Sequence, residues 1–92
     1  MTVIQKYEIA DVLSQGIHMP LGASIITVTS EAGTMYLWAE ADPTAPVRTR
    51  SIIILGEGDK IPQRTMQFIG AVQHPLRWGF RTRLVYDVST GA

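Results

Sequence analysis

Ninety-two residues, 46% of them apolar and only 17% charged, suffice for one small core and exclude an intrinsically disordered chain. Eight basic side chains balance eight acidic ones, which argues against strong non-specific attraction to nucleic acid or anionic lipid. Cysteine is absent, so a disulfide framework, a thiol nucleophile and a Cys-ligated zinc site are all excluded, as suits a reducing compartment.

The start, Met1-Thr2-Val3-Ile4-Gln5-Lys6, lacks the charged and then apolar regions of a signal peptide. The longest purely apolar run, Ile52 to Leu55, is far short of the ~20 residues a membrane helix needs. A cytoplasmic setting without membrane contact is the expectation. Residues 2–9 alternate, with Val3, Tyr7 and Ile9 on one parity against Lys6 and Glu8, and predict a strand. Asp11 to Gln15 reads as one helical turn or a bent edge before Gly16. Residues 23–29 are rich in β-branched side chains and predict a strand. Glu31-Ala32-Gly33 is a hairpin turn leading into residues 34–40, with Tyr36 and Trp38 on one face and Met35, Leu37 and Ala39 on the other.

Asp42-Pro43-Thr44-Ala45-Pro46 is a loop, since each proline removes a donor and restricts the residue before it. Residues 47–55 predict a strand that ends in the Gly-rich turn running from Gly56 to Pro62. Residues 66–74 predict another, broken at Gly70 by a bulge or a close backbone approach. His74 to Gly79 forms an aromatic, basic turn. Residues 80–88 then alternate, with Phe80, Leu84, Tyr86 and Val88 read as inward and Arg81, Arg83 and Asp87 as outward. The last four residues, 89–92, are expected to fray. The fold class is all-β with at most one short helical turn: a single domain over residues 1–92, a small antiparallel sandwich or barrel of about six or seven strands.

No residue set carries catalysis. His18 and His74 lack a His-x-x-x-His or His-Glu companion and read as turn or rim residues, and the carboxylates are dispersed. Neither a Gly-x-Ser-x-Gly elbow nor a Walker loop occurs, so no catalytic residue, metal or cofactor is assigned. Gly56-Glu57-Gly58-Asp59-Lys60 holds two acids with no helix behind it, and reads as a turn rather than a phosphate cradle.

Arginine is the asymmetric element. Residues 1–62 carry four basic and seven acidic side chains, net −3, and residues 63–92 carry four and one, net +3. Arg48 and Arg50 share one face of their strand, as do Arg81 and Arg83 of theirs. If the two strands are neighbours, four guanidinium groups line one surface with Arg77 and Trp78 at its end. Such forks bind phosphate or carboxylate, and an indole stacks on a base. The candidate ligand-binding set is therefore Arg48, Arg50, Arg77, Trp78, Arg81 and Arg83. The competing reading is of solvated or cross-strand-paired arginines that contribute little.

Two blocks of short motifs carry a resemblance. One joins Lys6-Tyr7-Glu8-Ile9, Met19-Pro20-Leu21-Gly22-Ala23-Ser24-Ile25, Leu37-Trp38-Ala39 and Asp42-Pro43. The other joins Arg50, Gly56-Glu57-Gly58 with Ile61-Pro62, and Phe68-Ile69-Gly70. Over roughly residues 6–72 the chain resembles a family of short tailed-bacteriophage and prophage proteins with no assigned reaction. The resemblance implies an accessory gene product in a bacterial host cytoplasm. The segment with Arg77, Trp78, Arg81 and Arg83 departs from that pattern.

Together these features suggest a non-enzymatic, counter-defence binding protein that sequesters an anionic host molecule such as a nucleotide signal. The alternatives are an inhibitor or adaptor docking on a host protein complex with Trp78 as anchor, or a minor virion component. Duplex DNA is disfavoured, because net charge is zero and no recognition helix is evident. Apolar residues on both parities of 34–40 and the Ile52 to Leu55 run exceed what one small core needs, so a homo-oligomer is expected.

Overall fold

The computed structural model describes residues 1–88, so the expected fraying of 89–92 lies outside the described residues. Among those residues the chain forms seven strands and no helix: β1 (Val3–Ile9), β2 (Ser14–Pro20), β3 (Ser24–Glu31), β4 (Thr34–Ala41), β5 (Val47–Leu55), β6 (Gln67–Leu76) and β7 (Gly79–Asp87). They pair antiparallel in two sheets, a three-stranded one in the order β1-β4-β3 and a four-stranded one in the order β2-β5-β7-β6. The all-β expectation holds.

Both edges of the four-stranded sheet contain a proline, Pro20 in β2 and Pro75 in β6. A missing N–H is tolerated at an edge and disrupts a ladder in the middle. Asp11 to Gln15 is not a helical turn and follows the bent-edge reading, leading into β2 at the edge of its sheet. Residues 11–13 bend, and Ser14 begins β2. The bend is held by the Gln15 amide, which donates from Nε2 to the Ala10 carbonyl (2.7 Å) and accepts from the Ala10 N–H at Oε1 (3.0 Å). A side chain thus stands in for a ladder partner where a strand containing Gly16 has little propensity of its own.

The main core lies between the sheets. Met35, Leu37 and Ala41 of β4, Val28 of β3 and Ile9 of β1 meet Met19 of β2, Ile52 and Ile54 of β5, Val72 of β6 and Val85 of β7. Residues 56–66, which connect β5 to β6, bring Met66 onto the opposite face of the four-stranded sheet. There a smaller cluster buries Ile53, Leu55 and Val88 against Met66 and Tyr86. The whole Ile52 to Leu55 run is therefore covered within one chain.

Gly70 satisfies both readings made of it. The ladder shifts register between Phe68 and Gly70, and a Cβ at Gly70 would stand 3.1 Å from Val28 Cγ1, across from the other sheet.

The facing of β7 is opposite to the expectation. Val85 is fully buried between the sheets, and Arg83 and Asp87 share its parity, so these three point inward. Leu84, Tyr86 and Val88 point to the outer face, where Tyr86 and Val88 join the smaller cluster. Phe80, on the same parity, is 70% exposed. Alternation reports parity alone. Which parity faces the core is ambiguous when both faces of a sheet are covered and the charged residues find partners at the ends of the core.

Candidate functional site

β5 and β7 are neighbours, as the arginine argument required, but their register separates the two arginine pairs. Leu55 lies opposite Leu84 and Ile52 opposite Asp87, so β5 runs away from Arg81 and Arg83 as it runs back toward Arg50 and Arg48. Arg48 and Arg81 lie at opposite ends of the sheet, about 30 Å apart at ~3.4 Å per residue. The single recess expected around Trp78 does not form within the chain.

Two of the six residues are held in internal ion pairs. The Arg50 guanidinium pairs with Asp87 through Nη2 and donates from Nη1 to the Ala23 carbonyl at 2.7 Å, joining β5 to the start of the other sheet. Arg83 Nε donates to Asp11 Oδ1 at 2.9 Å. Its other neighbour is Gly56, where a Cβ would stand 2.4 Å from Arg83 Nη1, so glycine leaves room for the guanidinium. His74 places Nε2 3.8 Å from Asp11 Oδ2, and its buried Nδ1 has no hydrogen-bond partner among the described residues. His18 and His74 both lie in strands rather than in turns.

Of the remaining four, Arg48 stays at the far end of the sheet, while Arg77, Trp78 and Arg81 lie together at the β6–β7 hairpin. Leu76 lies opposite Gly79, so Arg77 and Trp78 form the turn between β6 and β7, with Gly79 at φ +110° closing it. β5 ends at Leu55, so the outer half of this hairpin lies beyond the last β5–β7 pair. Trp78 is 87% exposed, and Leu76 and Phe80 are exposed beside it. The Arg77 guanidinium lies 5.7 Å from the Trp78 ring centroid. Neither Arg77 nor Arg81 has a carboxylate partner among the described residues, and no acidic residue occurs between Asp59 and Asp87. A cleft of about 870 Å³ runs along the β7 side of the hairpin, between Leu76, Phe80 and Arg81 and the turn at Gly56, Glu57 and Asp59.

Sequence reasoning missed Leu76 and Phe80 as partners of Trp78. The signal was present, since a two-residue turn at 77 and 78 pairs Leu76 with Gly79 and Pro75 with Phe80, which leaves both apolar residues at the hairpin end next to Trp78. The inward reading of Phe80 hid it.

Tyr36 and Trp38 occupy the outer face of the three-stranded sheet. Lys6 Nζ lies 4.4 Å from the Tyr36 ring centroid and 5.3 Å from that of Trp38, and 3.5 Å from Glu31 Oε1. Trp38 Nε1 donates to Thr29 Oγ1 at 2.8 Å. These half-buried rings are satisfied within the chain and offer no open platform.

Residues 1–79 match the family described as a domain of unknown function, DUF7352. The chain belongs to that family. The DUF7352 match includes the turn with Arg77 and Trp78 and stops before Phe80, yet β7 fills the space between β5 and β6. The matched stretch therefore closes the four-stranded sheet only with the residues that follow it. No curated protein and no solved structure matches the chain.

Proposed function

We propose that this chain is a protein-docking module without catalytic activity, which inserts the tip of its β6–β7 hairpin into an acidic recess of a partner protein. One observation carries the reading: Trp78 is 87% exposed at the tip, beside exposed Leu76 and Phe80 and flanked by Arg77 and Arg81. Three large apolar side chains left in water within one hairpin end, Leu76 and Phe80 on its two faces and Trp78 in its turn, are costly unless a partner covers them. Tryptophan and arginine are also the side chains that dominate interface energetics. The two guanidinium groups set the partner's sign as negative and steer the encounter.

The inhibitor or adaptor reading is favoured over sequestration of a nucleotide around Trp78, because Arg48 and Arg50 lie at the far end of the sheet. If the phage resemblance holds, the partner is a bacterial host protein and the role is counter-defence.

The test is photo-crosslinking from the exposed position 82, beside the hairpin end, in the expressing bacterium, followed by binding measurements on the captured protein. Trp78→Ala and Arg77→Glu/Arg81→Glu should each weaken binding at least tenfold, and rising salt should weaken the wild-type complex. Equal capture by wild type and both variants would overturn the proposal, as would the absence of any specific protein adduct.

A further inference from the structure

At the end of the sheet away from the hairpin, a cavity of about 620 Å³ is lined by three guanidinium-bearing residues from two separate segments: Arg48 and Arg50 of β5, and Arg64 of the β5–β6 connection. Gly22 and Thr49 complete much of the wall, and among the described residues no carboxylate lines it. We infer that this cavity is an anion site for a phosphate or diphosphate group, assembled by Arg48, Arg50 and Arg64.

The three arginines have different roles. Arg50 is fixed, because it is already bound to Asp87 and to the Ala23 carbonyl, so it supplies a positioned wall more than a free charge. Arg48 and Arg64 are exposed and have no carboxylate partner among the described residues. Their two positive charges match a dianion, and each fork can meet two oxygens of a phosphoryl group. The backbone under Arg64 is turned by its N–H donating to the Pro62 carbonyl at 3.0 Å, and Thr49 Oγ1 is anchored 3.2 Å from His18 Nδ1. Arg64 played no part in the sequence-based set, because only folding brings the connection beside β5.

The lining also says what is not read. Its apolar members are Leu21 and Val88, and among the described residues no aromatic ring faces the cavity. A nucleobase has nothing to stack on, so recognition is confined to the phosphate. This separates the site from the stacking pocket expected around Trp78, and its residues are independent of the docking hairpin.

Calorimetry of the full chain with pyrophosphate, adenosine diphosphate and adenosine, at one low salt concentration, tests the inference. Pyrophosphate and the nucleotide should bind within threefold of each other, and adenosine should give no heat. Arg48→Ala and Arg64→Ala, both at exposed positions and checked for an unchanged urea midpoint, should each weaken pyrophosphate about tenfold. Arg77→Ala/Arg81→Ala should leave it unchanged. Three results would overturn the inference: no pyrophosphate binding at millimolar concentration, affinity unaffected by Arg48→Ala/Arg64→Ala, or a nucleotide affinity far above that of pyrophosphate.

Discussion

Arg50 and Asp87 pair across adjacent strands on the inner face of the four-stranded sheet, where Asp87 is 2% exposed. Through its Ala23 contact the same guanidinium ties that sheet to the beginning of β3. Arg50→Met should therefore be severe, by about 3–5 kcal/mol, because it strands a buried carboxylate without its guanidinium. Arg50→Met/Asp87→Leu should lose less than the two single substitutions added together, since the double variant leaves neither charge unpaired. Urea unfolding of the four proteins measures this. Strict additivity would show that the pair is not coupled.

The β3–β4 hairpin offers a change in the other direction. Ala32 and Gly33 have φ values of +50° and +85°, the left-handed pair that a tight hairpin with the twist of its strands requires. Glycine adopts this freely and alanine does not. Ala32→Asn should raise stability by about 0.5–1 kcal/mol, because asparagine tolerates the left-handed region. An upward shift of the thermal midpoint is the expected reading, and a downward one would show that the turn uses the alanine methyl.

Local patterns in the sequence were legible where one residue type has one physical meaning. The glycine at 33, the prolines at 43, 46 and 62 and the β-branched runs placed the turns and six of the strands. β2 was obscure because Gly16 and Pro20 weaken its pattern, and an edge strand tolerates both. The adjacency of β5 and β7 entered the sequence reading only as a condition, which the sheet order meets, and their register was not legible. Register follows from which residues fill the core, and here Ile52 lies opposite Asp87. The observed register lies eight residues from the one that would set Arg48 and Arg50 opposite Arg83 and Arg81, and so Ile52 opposite Gly79, and no spacing along the chain encodes it.

The hairpin tip should be neutral for the fold. Trp78 and Phe80 are outside both hydrophobic clusters, so Trp78→Ala and Phe80→Ser should leave the unfolding free energy within ~0.5 kcal/mol of wild type. Asp11→Ala, by contrast, removes the acceptor of Arg83 and the neighbour of His74 and should cost about 2 kcal/mol. Denaturant midpoints under one buffer compare the three. If the tip substitutions were as costly as Asp11→Ala, the exposed side chains would have to be part of the fold's own packing.

Asp42 provides a pH-dependent test. Its Oδ1 accepts from the Thr44 hydroxyl at 2.6 Å and from the Thr44 N–H at 3.0 Å, and the terminal amine of Met1 is 4.0 Å away. The hydroxyl bond, then the backbone bond, hold the carboxyl below the ordinary aspartate range, with a small further push from the amine against a slight opposing effect of burial. A carboxyl lowered in the folded state stabilises the fold at pH values above its unfolded pKa, and that contribution is lost as pH falls through the folded one. The Asp42 carboxyl carbon, followed by NMR, should titrate below an unperturbed aspartate, and Thr44→Val should move its midpoint upward by removing the hydroxyl donor. The stability difference between wild type and Asp42→Asn should likewise be present at neutral pH and disappear in acid. A midpoint in the ordinary range, unmoved by Thr44→Val, would mean that the turn at residues 42–45 does not hold these hydrogen bonds in solution.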